Sequence, residues 1–376
     1  MLYLRMGLTK GPFNHIINMS LENIAKLFAI EGEVKEIKPL GNGLINDTYK
    51  ITTDGPKAYV LQRVNNAIFT DVDLLQRNIV AVTTHIRRKL EAAGESDIDR
   101  KVLTFVPLKG SDCTWYEEDG KYWRISVFIP DAYTFETVDP KYSRFAGEAF
   151  GRFEAMLADL DEPLGETIPD FHNMELRARQ LHEAVAADKA GRMAEPEVRA
   201  ILAELLPFEE EMCKAERMHR EGILPKRICH CDTKVNNMMF DADGNVLCVI
   251  DLDTVMPSFV FSDFGDFLRT AANTVAEDDP AVEKVDFKMD IFEAFAEGYL
   301  KSASVFLTPV EKENLPYAAC LFPYMQAVRF FADYINGDTY YKIKYPEHNL
   351  VRTRNQVALF KAAMAKVPEM RKILGI

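Results

Sequence analysis

Hydrophobic and polar positions repeat with two different periods along this chain. Up to about residue 130 the period is mostly two. Segments 34–40 (VKEIKPL) and 47–53 (DTYKITT) flank a glycine-containing stretch, GNGLIN. In KAYVLQRV, Val60, Gln62 and Val64 alternate with Leu61 and Arg63, the repeat of a half-buried strand. One helix is expected at 71–93. Segments 101–108 and 113–129 read as further strands, the second folded at an EDGK turn. Beyond Pro130 the period becomes helical. Phe145, Ala149, Phe150, Phe153, Met156, Leu157 and Leu160 share one face of a helix within 143–160. Further helices are expected at 174–190, 196–220, 264–275, 287–301, 310–336 and 354–367, with one hairpin embedded before 264. Near the start, Ser20 reads as the N-cap of a helix carrying Leu21, Ile24, Leu27 and Phe28 on one face. The pattern predicts an α+β chain in three parts. Residues 1–19 form an extension expected to be flexible, 20–130 a small β-rich lobe, and 131–376 a larger, mainly helical lobe.

Composition narrows the partners. A length of 376 residues agrees with two lobes. The net charge of −13 argues against nucleic acid or an anionic membrane as the main partner. It leaves room for a nucleotide, which needs only a local cationic patch and a metal. Six cysteines are scattered without an even framework, so reduced thiols and a cytoplasmic location are expected. No apolar run approaches the ~20 residues of a membrane span. The first residues lack the plan of a signal peptide, and Met1, Met6 and Met19 are each a candidate start.

The chemistry concentrates in HCDTKVNNMMF, residues 230–240, which packs His230, Asp232, Lys234, Asn236 and Asn237 together. An apolar run, a DADGN turn and a second apolar run follow, ending on Asp251 and Asp253. Phosphoryl transfer needs an acid that orients a hydroxyl and accepts its proton, and oxygen ligands for a metal on the phosphates. Asp232 and Asn237, five residues apart on a loop, can supply base and ligand. Asp251, at the end of the returning strand, supplies the hard oxygen that Mg²⁺ prefers. The hairpin would bring all three to one end.

Competing readings were weighed on the same residues. Single Asp and Asn residues in loops are usually turn formers. CHCD lacks a second pair for a zinc site. DLD as a nucleotide-sugar binding motif would need an α/β region before it. SDFGDF carries Asp-Phe-Gly, but its Asp263 lies 31 residues after Asp232 and Asp251 only 19. Asp263 is therefore expected to cap the next helix or brace the loop, and His230 to brace it from within.

With these motifs in view, the chain resembles the aminoglycoside phosphotransferase and choline-kinase-like superfamily. Within it, the chain looks most like the N-acetylhexosamine 1-kinases. The resemblance runs from about residue 20 onward. It rests on GNGLINDTY, HCDTKVNNMMF, VIDLDTVMP, FADYINGDTYY and KYPEHNLVRTRNQ, the last two being the most particular. It implies a bilobal protein-kinase-like fold and ATP- and Mg²⁺-dependent phosphorylation of the C1 hydroxyl of an N-acetylated hexosamine. Asp232 would be the base, and Asn237 and Asp251 the metal ligands. Gly41 and Gly43 would lie in the loop over the phosphates, and Val127 and Ile129 at the hinge for adenine. Arg329 and Tyr340 match sugar-contacting positions, and Asn46 a substrate-binding position near the substrate end of the glycine loop.

Two positions depart from the pattern. Gln62 stands where kinases carry a lysine on the phosphates. Leu44 stands where the hexosamine kinases have a histidine, which leaves the acceptor open. The alternatives are a kinase of another sugar, choline, an aminoglycoside or methylthioribose, and a non-catalytic nucleotide-binding relative. The expected partners are the sugar and ATP, the expected state a monomer or weak dimer.

Overall fold

The computed structural model describes residues 20–41, 46–135 and 138–376. The expected extension 1–19, Gly43 and Leu44 lie outside the described residues. By contacts the chain divides into two compact units. One holds residues 1–65 and 105–128, the other 66–104 and 129–376.

The first unit is a five-stranded antiparallel sheet in the order β1-β2-β3-β5-β4. The strands are β1 (Val34–Pro39), β2 (Asp47–Thr53), β3 (Tyr59–Val64), β4 (Trp115–Glu118) and β5 (Lys121–Val127). A short helix, α1 (Leu21–Ala25), starts at Ser20, whose side chain accepts from the Asn23 N–H. Ile24 and Phe28 then pack with Ile51, Leu61, Trp123 and Ile125. The alternation in KAYVLQRV holds at the start of β3, where Tyr59 and Leu61 are buried and Val60 and Gln62 half-buried, and fails at its end: Arg63, on the Leu61 face, is exposed and pairs with Asp47, while Val64 is buried. Segment 101–108 is a correction. It contributes single bridges at Phe105 and Leu108 and no strand. Lys101 still belongs to a short helix and Pro107 has no N–H for a ladder.

The second unit begins with α2 (Val72–Ala92) and α3 (Ile98–Lys101). Asp71 caps α2 through the Leu74 N–H. Asn78 of α2 donates to the carbonyls of Gly165 and Val255, which explains why this helix clusters with residues beyond 129. Next come α4 (Pro140–Leu157), α5 (Met174–Ala187) and α6 (Pro196–Leu205), then α7 (Glu209–Met212) and α8 (Lys214–Arg220). The single helix expected at 196–220 is thus broken, because Pro207 cannot continue it. Two small ribbons follow. β6 (Arg227–Cys229) pairs with β9 (Met256–Ser258), and β7 (Met238–Phe240) with β8 (Val246–Val249).

The remaining helices are α9 (Phe261–Ala271), α10 (Met289–Ala303), α11 (Pro309–Glu313), α12 (Leu315–Ile335) and α13 (His348–Leu374). The expected helix 310–336 is split at Asn314, and α11 carries a complete capping box from Thr308 and Glu311. α13 starts well before residue 354. Its first turns bury His348, Asn349, Thr353, Asn355 and Gln356, polar residues that hide the apolar period.

The core of this unit is aromatic. Phe267 stacks on Phe295 with centroids 4.2 Å apart, and Phe264 packs edge-on to Phe292 and Tyr299. Fully burying one such ring contributes about 1.5–3 kcal/mol. Two glycines set how closely α4 and α10 approach. A Cβ on Gly147 would lie 2.1 Å from the Phe295 carbonyl oxygen, and one on Gly298 2.0 Å from that of Arg144. Among the described residues no helix is long and apolar enough to cross a membrane, and the six cysteines are free thiols.

Candidate functional site

The loop between β6 and β7 carries the residues singled out by sequence, and a buried carboxylate holds it in shape. Asp263, fully buried in the first turn of α9, accepts the backbone N–H of His230 and of Cys231, both at 2.8 Å. Thr233 donates its hydroxyl to the Asp263 carbonyl. Asp263 therefore braces the loop, and the capping role is not what it does: α9 has Val260 at its N-cap. The brace is needed because Cys231 sits at φ +62°, a left-handed conformation unfavourable for a residue with a Cβ.

His230 braces from within, as its sequence context implied. Its Nε2 lies 2.9 Å from the Ile250 carbonyl, and its Nδ1 accepts the Asp232 N–H. These partners fix the tautomer with the proton on Nε2. Phe150 and Phe153 close over the ring edge-on.

The loop and hairpin bring three predicted residues together. Asn237 donates its side-chain N–H to the Asp232 carbonyl at 2.8 Å and to its carboxylate at 3.1 Å. Ile250 donates its backbone N–H to the Asn237 carbonyl. That bond closes the β7–β8 ribbon at its base and sets Asp251 next to the loop. Asp251 is exposed, at φ +60°. Lys234 is a participant that sequence reasoning named but gave no role. Its ammonium donates to Asp232 at 2.9 Å. Burial alone would lower Lys234; Asp232, then Asp251 and Asp266, hold it above the usual lysine range. Asp232 thus pairs with Lys234 directly, and the charges of Asp251 and Asp266 act on it as well.

Asp266 was missed. The only signal was its place in SDFGDF. It pairs with Arg269, which also pairs with Glu277. Beneath the loop lies Glu154, fully buried, which accepts from the Tyr299 hydroxyl and the Cys229 thiol. Burial, then the nearby Asp263, pushes Glu154 well above the usual carboxylate range. Burial likewise raises Asp263 and Asp266, each to about 6.

The sign of the pH effect follows. Between its ordinary value of 3.8 and about 6, native Asp263 holds a proton that the unfolded chain has released. The stabilisation from such groups is complete below about pH 4 and is lost as pH rises through about 6. Glu154→Gln, an uncharged isostere, is expected to keep the fold and to flatten this decline. Melting temperatures of both proteins from pH 4 to 8 check it, and parallel curves would contradict a protonated Glu154.

The remaining predicted residues fall elsewhere. Within the first unit Gln62 accepts from Arg124 Nε at 3.0 Å and donates to Thr48. Arg124 is its cross-strand partner and went unnoticed in the sequence. Gly41 is exposed at φ +69°, and Asn46, buried, accepts the Asn65 N–H. Val127 ends β5, and Ile129 opens the second unit's main segment.

In the second unit Arg329 lies on α12 and Tyr340 on the loop after it. Arg329 does not pair with Asp333 at i+4. Asp333 instead accepts the backbone N–H groups of Thr339, Tyr340 and Tyr341, and the Asn349 amide. Arg329 donates to Gln326 and lies near the rings of Phe171 and Tyr341. Tyr340 is exposed, edge-on to Tyr341.

A family model described as "Phosphotransferase enzyme family" (APH) matches residues 36–303, most of the chain and all of this loop and hairpin. The chain belongs to this family. Solved structures agree on the fold of this phosphotransferase. An aminoglycoside phosphotransferase from Alicyclobacillus acidocaldarius superposes with a TM-score of 0.61 at 12% identity, covering 98% of both chains. Amicoumacin kinase hAmiN, in complex with AMP-PNP, Ca²⁺ and Ami, gives 0.56 at 14% identity, over 89% of this chain and 91% of that one. Choline kinase from Cryptosporidium parvum Iowa II gives 0.53 at 14% identity, over 90% of each. The fold is the expected α+β, protein-kinase-like one, with a small antiparallel sheet unit and a larger helical unit.

Proposed function

We propose that this phosphotransferase is a small-molecule kinase that moves the γ-phosphoryl group of ATP to a hydroxyl of its acceptor, with a divalent cation. The observation that carries this reading is Asp232 held by Lys234 and Asn237, with Asp251 one residue past the bond that ties Ile250 to Asn237. The donor set fits a hard cation. The Asn237 Nδ2 is spent on Asp232, which leaves Oδ1 as its ligand atom, and Asp251 offers an exposed carboxylate. Asn237 and Asp251 would hold the ion, Mg²⁺ by preference for octahedral oxygen. When bound, it supplies positive charge to phosphate oxygens. Asp232 orients the acceptor hydroxyl and takes its proton, its carboxylate fixed by Lys234 and Asn237. Gly41, Gly43, Gln62, Val127 and Ile129 form the nucleotide side of the proposal. The AMP-PNP and Ca²⁺ bound by the amicoumacin kinase support both cofactors.

For the acceptor we propose an N-acetylhexosamine phosphorylated at C1, with Asn46, Arg329 and Tyr340 as its contacts. The support is the resemblance of FADYINGDTYY and KYPEHNLVRTRNQ, together with the charge around Arg329. A cationic acceptor such as choline or an aminoglycoside calls for carboxylates or an aromatic cage. Here, beside the carboxylates and tyrosines of the cleft, a second arginine, Arg177, lies close to Arg329, which disfavours a cation. An ADP-release screen over hexosamines, other sugars, choline and aminoglycosides tests both levels. Turnover of a cationic acceptor alone would overturn the acceptor, and no turnover of any would overturn the kinase. Arg329→Ala is expected to raise KM for the sugar about 10-fold or more, since a hydrogen bond to a charged group contributes about 1.5–3 kcal/mol. KM for ATP should barely move. Steady-state kinetics with each substrate varied in turn checks this.

A further inference from the structure

Between α5 and α12 lies a cleft of about 350 Å³, lined by Arg177, Gln180, Arg329, Thr339, Tyr340 and Tyr341 among others. Its two guanidinium groups are half-buried, and neither forms an ion pair among the described residues. Arg177 gives Nη1 to the Gln180 amide and Nη2 to the carbonyls of Asp170 and Phe171. Its Nε is buried with no partner among the described residues. Arg329 gives one N–H to Gln326.

Among the described residues the carboxylates nearby form no ion pair with either guanidinium, and Asp170, exposed, acts on Arg177 only through its field. Asp333 is buried and committed to three backbone N–H groups and Asn349, and Glu183 is exposed at the rim. Burial, then Arg329, lowers Arg177 to about 10. His172, Nδ1 3.0 Å from the Ser262 hydroxyl, is held well below the usual imidazole range by burial and then by Arg329, Arg177 and Arg269. A chain with a net charge of −13 thus keeps two half-buried guanidinium groups side by side in one cleft, without an ion-pair partner among the described residues. Desolvated charge is retained at a cost unless a partner arrives. Forked guanidinium donors match the oxygens of phosphate and carboxylate.

We infer that this cleft is an oxyanion site, taking the phosphate or carboxylate group of a small hydroxylated molecule. The guanidinium groups of Arg177 and Arg329 hold the anion, while Thr339, Tyr340 and Gln180 offer polar contacts for hydroxyls. The inference rests on the acceptor reading in placing Arg329 and Tyr340 in the same cleft, and the phosphate titration tests it apart from turnover. The same chemistry can come from free phosphate or from an acidic group on the acceptor itself.

The test is calorimetric titration of inorganic phosphate into the full chain saturated with ADP and Mg²⁺, so that the nucleotide site is filled. Binding is expected to weaken at least 10-fold in Arg177→Gln and in Arg329→Gln, and to be largely kept in Arg177→Lys. The lysine variant guards against a loop disturbed by loss of the Asp170 and Phe171 bonds. A second arm compares an N-acetylhexosamine 6-phosphate with the neutral sugar in the ADP-release assay. A lower KM for the phosphorylated sugar that rises in Arg177→Gln assigns the anion to the acceptor. Phosphate competing with the neutral sugar, with no such KM advantage, assigns it to a free ion. Phosphate binding that is absent, or equal in wild type and both glutamine variants, overturns the site whatever the kinase assay shows.

Discussion

Asp232→Asn is expected to lower kcat by about two orders of magnitude or more, the usual contribution of a positioned general base, while nucleotide affinity stays nearly unchanged. The substitution is close to isosteric. It keeps the backbone N–H bonded to His230 Nδ1 and the carbonyl that receives the Asn237 amide. What it removes is the negative charge facing Lys234 and the atom able to accept the acceptor's proton. Single-turnover rates with saturating ATP and acceptor check the first half, and nucleotide titration the second. Wild-type turnover in the variant would remove Asp232 from the mechanism.

The second large effect separates two aspartates that the sequence made rivals. Asp263→Ala is expected to destabilise the protein by about 2 kcal/mol or more. It strands two buried backbone donors, those of His230 and Cys231, and each unsatisfied donor costs about 1–3 kcal/mol. It also frees a loop whose Cys231 is held at a positive φ. Asp251→Asn should do the reverse. Asparagine tolerates the left-handed conformation at φ +60°, so thermal stability should change little. The loss of charge at an exposed ligand position should weaken metal-dependent nucleotide binding. Thermal unfolding and Mg²⁺ titration of both variants decide the matter. If Asp263 controlled metal affinity and Asp251 did not, the roles proposed here would be exchanged.

The sheet unit was legible because a half-buried strand writes its face into every second residue, as buried Tyr59 and Leu61 show against half-buried Val60 and Gln62. The hairpin was legible because DADGN can only turn, and a ribbon that returns must place its two ends together. Asn237 and Asp251 therefore met as their spacing implied. Helix existence was readable, but helix continuity was not: breaks coincide with Pro207 and Pro316, while Pro323 and Pro368 lie inside unbroken helices. The first turns of α13 were unreadable for another reason. Asn349 and Asn355 are buried by hydrogen bonds to Asp333, Asp338, Asn273 and the Ala276 carbonyl, and such partners leave no periodic mark.

Local pattern alone was enough for most of the strands and helices, for the turn, for the short loop that carries the acid and the amide, and for the hairpin that returns the second acid to it. These depend on neighbours within a few residues, where backbone geometry fixes what can meet. Only the tertiary structure decided which carboxylate is a brace. It packed Asp263 under the backbone of a loop 30 residues earlier and left Asp251 exposed. It also decided that Asp333 serves the loop after α12 rather than Arg329, and that Arg177 of α5 comes to lie beside Arg329 of α12. Burial and long-range charge set these outcomes, and both arise from what folds against a residue rather than from what precedes it in the chain.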